Sequence, residues 1–330
     1  EGGTTAETRN STSITQQNTS ATSADNPLSN NRANVAVTGQ GNTSSLSQNG
    51  RNNSARLSQG LGVLNRAQIS QIGTGEFNRV AVGQYGSRNA ITIAQDTVAG
   101  NAVVWQQIAG SNSSVEIQQG TGTTGTAGFS AAFFNNTAPT GAQTRNLRAN
   151  VTQGNNRELA GFNGAEVRQD GADLAATILQ QGTGTTDLPN IVRIGQQGSA
   201  NNATATQRAG VGPSAPSDTA PTGQPGDPFF FGGGARSAEI TILQSGSNNS
   251  ATVEQRGRGQ FARIEQGPGS GNVASILQDV NATNATAIIR QAGSNNSFNV
   301  TQTDANQYIL VSQTGSNNSV TDVVRRGPGS

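Results

Sequence analysis

From Asn249 to Gln255 the chain alternates: Asn249, Ala251, Val253 and Gln255 fall on one side of an extended backbone, and Ser250, Thr252 and Glu254 on the other. A strict period of two predicts a strand with one dry face and one wet face. The same unit, N-x-A-x-V-x-Q, reads at Asn53-Ala55-Leu57-Gln59, Asn65-Ala67-Ile69-Gln71, Asn78-Val80-Val82-Gln84, Asn89-Ile91-Ile93-Gln95 and Asn101-Val103-Trp105-Gln107. It continues at Asn163-Ala165-Val167-Gln169, Asn190-Val192-Ile194-Gln196, Asn201-Ala203-Ala205-Gln207, Asn272-Ala274-Ile276-Gln278 and Asn296-Phe298-Val300-Gln302. Weaker copies close at Gln16, Gln40, Gln48, Gln119, Gln153, Gln181, Gln244, Gln266, Gln291 and Gln313, and Asn318 opens a last one.

The middle positions predict a core of Leu57, Ile69, Val82, Ile93, Trp105, Ile117, Val167, Ile194, Ile242, Val253, Ile264, Ile276, Ile289, Val300 and Val311. Between them stand Arg56, Gln68, Thr92, Glu116, Arg168, Arg193, Thr252 and Arg263, which makes the second face a wet one. Closing glutamines are mostly 11 to 13 residues apart, leaving four or five for each turn. Those turns carry Gly50, Gly73, Gly86, Gly198, Gly246, Gly293 and Gly315, which tolerate the positive φ that a sharp corner demands. Strand and corner therefore alternate, and the spacing predicts two strands per coil.

A single coil cannot bury its apolar pair, so coils must stack, each strand pairing with its equivalent above. Stacking in register sets Asn on Asn and Gln on Gln as amide ladders that seal a thin core. The expected fold is an all-β solenoid: the strands from Gln40 to Gln313 number twenty, or ten coils, a rod of about 50 Å at ~4.8 Å per coil.

Composition then excludes the ordinary alternatives. Only 32% of the 330 residues are hydrophobic, and there are 43 glycines. Such a chain either stays disordered or folds through backbone pairing and polar ladders, and disorder would not hold apolar residues at two set positions through twenty units. The two stretches that break the spacing, 120–146 and 208–237, are expected to be insertion loops, the second because Pro213, Pro216, Pro221, Pro225 and Pro228 cannot donate to a ladder. Phe133, Phe134, Phe229, Phe230 and Phe231 in these loops are expected to fold back onto the rod. Residues 1–33 read as a Ser/Thr-rich segment, a frayed coil or an export tail, and 34–330 as the repeat domain.

Chemistry is sparse. The chain has no Cys and no His, so disulfides, the usual zinc sites and the commonest general base are all missing. Glu116, Glu166, Glu254 and Glu265 take outward strand positions and read as a solvated face. No catalytic, cofactor or metal site is expected, and the chain is expected not to be an enzyme. A net charge of +1, from 20 basic and 19 acidic residues scattered along the chain, gives no footprint for nucleic acid. No apolar run of the ~18 to 20 residues that cross a bilayer is present. A start at Glu1, with no Met anywhere, suits a secreted chain whose signal peptide has been removed.

Across the corner the repeat becomes Q-x-G-x-x-N-x-A-x-x-x-Q: Gln244, Gly246, Asn249, Ala251, Gln255; Gln48, Gly50, Asn53, Ala55, Gln59; and Gln196, Gly198, Asn201, Ala203, Gln207. This resembles the curlin repeat of bacterial curli subunits over most of residues 40–324. The resemblance implies a protein secreted from a Gram-negative cell through an outer-membrane pore, which polymerises on a nucleator subunit into cross-β amyloid fibres of the biofilm matrix. The chain departs from the family in being about twice as long, with two insertions and without a glycine-rich start. The other expectation open at this point is a monomeric secreted β-solenoid, an adhesin or ice-binding module, acting through a flat face or the insertion loops. An ice binder should carry a regular Thr ladder, whereas Thr92, Thr204, Thr252 and Thr321 share their positions with Arg, Glu and Ser.

Overall fold

A computed structural model describes residues 9–17, 31–50, 53–73, 78–96, 101–119, 130–137, 146–153, 163–181, 190–208 and 238–325. In chain order the strands are β1 (Ser11–Gln17), β2 (Arg32–Gln40), β3 (Thr43–Gly50), β4 (Ser54–Val63), β5 (Arg66–Gly73), β6 (Arg79–Ser87), β7 (Ala90–Asp96) and β8 (Asn101–Ser111). They continue with β9 (Ser114–Gln119), β10 (Ser130–Thr137), β11 (Arg148–Gln153), β12 (Asn163–Ala172), β13 (Ala175–Gln180), β14 (Asn190–Ser199), β15 (Asn202–Gln207) and β16 (Ala238–Ser247). The last are β17 (Ser250–Gln255), β18 (Gln260–Gln266), β19 (Val273–Gln278), β20 (Thr286–Ala292), β21 (Ser297–Gln302), β22 (Tyr308–Thr314) and β23 (Ser319–Arg325). No helix occurs among the described residues.

Odd-numbered strands form one 12-stranded sheet and even-numbered strands an 11-stranded one, each strand bonded to the next of its own parity. All pairings are parallel and nearly all in register, for example Ala251 on Ala274 and Val253 on Ile276. The result is an all-β solenoid of stacked parallel strands. Parallel neighbours need a crossover, and here the strand of the other sheet supplies it.

The core runs between the sheets. Ala251, Val253, Ile264, Ile276 and Ile289 are at most 2% exposed, and one cluster runs from Leu46 to Ile309 with Val35 and Val311 packed against its ends. Leu57, Ile69, Val82, Ile93, Ile117, Val167, Ile194, Ile242 and Val300 all belong to it, while Val311 is only half-buried. Each such side chain is worth roughly 1.5–3 kcal/mol when fully buried. The side chain of Trp105 lies outside the described ones; its backbone stands in register with Val82 and Phe134.

The connections are unequal. Every even strand except β10 passes to the next odd strand through two to six residues, and a residue just before the strand often takes φ near 55°, as at Asn112, Ala200, Asn248 and Asn295. The odd-to-even connections range up to residues 208–237. The longest connections therefore gather, apart from the one after β10, at one edge of the solenoid.

The structure corrects four readings. Residues 120–146 are not one loop: β10 lies inside them and pairs with β8 and β12 over Ser130–Asn135. The described strands from β2 to β22 are therefore one more than the twenty read in the sequence. Gln181 is not a closing glutamine. Gln180 is, because the neighbouring register would bury Thr177 and expose Ile178. Gln40 does not close β2 either, since Val37 pairs with Gln59 and Gln40 with Val63. That register turns Ala33, Val35 and Val37 inward instead of Thr38.

The fourth correction concerns the wet face. Glu166, Arg193, Glu239 and Thr241 occupy outward positions of β12, β14 and β16 yet are at most 6% exposed. Arg193 bonds Glu239 at 2.7 Å and lies 4.0 Å from Glu166, which Arg168 reaches at 2.8 Å. Burial is tolerable because the opposite charges satisfy one another. The second expected loop, residues 209–237 with its prolines and Phe229–Phe231, lies outside the described residues, as do the side chains of Phe133 and Phe134.

Candidate functional site

The repeated polar side chains sit at the strand ends, where the two sheets meet. Alternation turns each closing Gln inward, and its length lets it bridge in two directions. Gln255 Nε2 donates to Gln278 Oε1 of the strand above at 2.9 Å and to the Glu239 carbonyl of the facing sheet at 2.9 Å, while its own Oε1 accepts from Gln207. All three are essentially unexposed. In water such a bond is worth about 1 kcal/mol net, but leaving a buried amide unpaired costs about 1–3 kcal/mol.

In the odd sheet the chain of donors is unbroken from Gln16 through Gln48, Gln71, Gln95, Gln119, Gln153, Gln180, Gln207, Gln255 and Gln278 to Gln302, each link 2.6 to 3.1 Å. In the even sheet Gln59 donates to Gln84, and Gln169, Gln196, Gln244, Gln266, Gln291 and Gln313 form a second run. Every Nε2 points toward the higher-numbered strand, so the ladders have a direction. Two breaks show what a missing donor does. Gln59 Oε1 and Gln169 Oε1 are buried without a partner. Val37 stands beneath Gln59, and the strand beneath Gln169 offers Asn136 where a glutamine would be. The Gln107 and Asn101 side chains lie outside the described ones.

Asparagines work differently. In the odd sheet Asn Oδ1 accepts the backbone N–H of the next corner: Asn42 from Asn65, Asn65 from Asn89, Asn201 from Asn249, Asn249 from Asn272, Asn272 from Asn296, and Asn296 from Asn318. The Nδ2 group ties the corner itself, as Asn249 does to the Ser245 carbonyl. Side-chain pairs between asparagines are found in the even sheet, Asn78 to Asn53 and Asn190 to Asn163, and at the end of the odd one, Asn318 to Asn296. Asn318 is half-buried, having no strand above it. Sequence spacing shows that like stacks on like; the backbone partner of each corner Asn is visible only in three dimensions.

The corner glycines complete the seal. Gly50, Gly86, Gly198, Gly246, Gly293 and Gly315 all have φ between 92° and 115°. A Cβ on Gly198 would also overlap the Gly246 carbonyl oxygen of the next corner, so both conformation and stacking require glycine there. Gly73 pairs in register with Gly50.

Residues 236–267, spanning β16, its corner, β17 and β18, match the family model described as the curlin associated repeat. Over these residues the chain is similar to a curlin repeat. No curated protein matches it. The matched segment holds Gln244, Asn249, Gln255 and Gln266, which make ladder bonds above, and the corner glycine Gly246. The matched repeat and the solenoid together fit a curli-like structural protein.

Proposed function

We propose that this protein is the subunit of an extracellular curli-like amyloid fibre of the biofilm matrix, assembling by stacking its end coils on those of identical copies. In this reading each coil contributes two strands, one to each sheet. The observation that carries this reading is the directed amide ladder. It starts on β1 in the odd sheet and reaches β22 in the even one, and among the described residues β1 or β2 on one side and β22 or β23 on the other have no strand beyond them. An in-register parallel edge of this kind is a template for another copy. The chain works as a material and not as a catalyst, and needs no metal or cofactor. Its main partner is itself; the curlin likeness adds a nucleator subunit and an outer-membrane pore.

The test is dilution of purified chain out of denaturant, with electron microscopy and fibre diffraction. Filaments giving reflections near ~4.7 Å along the axis and ~10 Å across it are expected. A stable monomer at all concentrations would overturn the reading.

A further inference from the structure

Among the described residues the odd sheet has twelve strands and the even sheet eleven. If copies stack end to end with all of them in place, the odd sheet gains one strand more than the even sheet at every joint. With strands ~4.8 Å apart, each joint would hold a one-strand gap in the even sheet, with two unpaired edges facing it. Removing one terminal strand of the odd sheet leaves eleven in each, and the gap closes.

The two candidates are not alike. β23 follows β22 through a tight corner, where Asn318 is held by Asn296 Oδ1 and by the Thr314 carbonyl. β1 is joined to β2 only through residues 18–31, fourteen residues, enough for ~45 Å of extended chain. All seven residues of β1 are exposed, and its one large apolar residue, Ile14, is 47% exposed. What holds β1 is its pairing with β3, where Ile14 stands on Leu46, and side-chain bonds: Gln16 Nε2 to Gln48 Oε1, Ser44 Oγ to Thr12 Oγ1, Asn42 N–H to Asn10 Oδ1, Asn10 Nδ2 to the Gly39 carbonyl and Asn31 Nδ2 to the Gln17 carbonyl.

We propose that β1 is a displaceable cap: it occupies on β3 the place that the C-terminal strand of a second copy takes in the filament, and it must leave before two copies join. The proposal rests on the assembly reading above. With β1 gone, β23 of one copy pairs with β3 of the next and β22 with β2, and both sheets continue without a gap. The register supports this occupant. Val320, Val323 and Arg325 stand on Phe298, Val300 and Gln302, so on β3 they meet the positions of Ser44, Leu46 and Gln48. β1 offers Thr12, Ile14 and Gln16 there. The incoming strand brings two apolar residues instead of one.

A lock on β1 tests this. Ser13 and Ser45 are register partners on the outer face, and the chain has no other cysteine to interfere. Neighbouring Cα atoms at ~4.8 Å lie within the span a disulfide bridges. The Ser13→Cys/Ser45→Cys chain, oxidised, is expected to elongate wild-type seeds at least tenfold more slowly than wild type and to recover on reduction. The interior pair Thr204→Cys/Thr252→Cys, also in register, should elongate at the wild-type rate in both states. Ile14→Asp, which loosens the cap, should shorten the lag about twofold. Equal elongation of the oxidised and reduced Ser13→Cys/Ser45→Cys chains would overturn the cap while leaving fibre assembly intact. Failure of the wild type itself to form fibres would overturn both.

Discussion

Strands β17 and β1 are written in the same alphabet, S-A-T-V-E-Q and S-T-S-I-T-Q-Q, yet they live in different environments. In β17, Ala251, Val253 and Gln255 are at most 1% exposed; in β1, Ile14 and Gln16 remain exposed although both occupy equivalent register positions. β17 has a neighbour on each side within its sheet, and β1 has one. Burial here belongs to the stack and not to the repeat, so stability should depend on distance from an end. A strand near the middle is a structural necessity; one at the end is an exchangeable part.

The sharpest test of that contrast is a charge in the core. Val253→Asp places a carboxylate where no partner exists and should cost more than about 4 kcal/mol, whereas Ile14→Asp should cost less than about 0.5 kcal/mol. Urea unfolding of the two variants measures the difference, and similar costs would dissolve the distinction between middle and end. Next comes the ladder. Gln255→Leu strips a donor from Gln278 and leaves the Glu239 carbonyl without its amide, for an expected loss of about 2–4 kcal/mol, while Gln16→Leu should stay within about 1 kcal/mol.

The corners should respond less. Gly198→Ala combines φ of 108° with overlap on the next corner and is expected to cost about 1–3 kcal/mol by chemical denaturation. A gain is expected near the N-terminal end: Val37→Gln would give Gln59 Oε1 its donor and raise stability by about 1 kcal/mol, read as a higher denaturation midpoint. The smallest effect is a pH slope. Partial burial raises the Asp170 pKa above its ordinary 3.8, so its charged form weakens the fold at neutral pH and the penalty fades as pH falls through the window just above 3.8. Asp170→Asn should flatten that slope in acid titrations of stability.

Much of this architecture was legible because the repeat is strict where it matters. Ala251, Val253 and Gln255 announce one face by alternation, and Gly246 with Asn249 marks the corner. Legibility failed where two registers competed. Around Gln180 and Gln181 either glutamine could close the strand, and only the choice to bury Ile178 over Thr177 decides. β10 was hidden by its own substitution. Ala132, Phe134 and Asn136 keep the alternation, but an Asn closes it, and the 34 residues between Gln119 and Gln153 were the remaining signal, about three ordinary spacings. The buried Glu166, Arg193 and Glu239 gave no hint, since an outward charge in sequence reads the same whether or not something covers it.

Period, spacing and residue type determined by themselves that this chain makes short half-buried strands, that glycine corners separate them, and that like residues stack. These are local consequences of side-chain direction and backbone freedom, which a sequence carries directly. The tertiary structure alone decided the ladder's direction, the backbone partners of the corner asparagines, the buried ion cluster and, among the described residues, the unequal strand count of the two sheets. Each depends on which residues far apart in the chain become neighbours, and on the fact that the end of a stack, unlike its middle, has nothing beyond it.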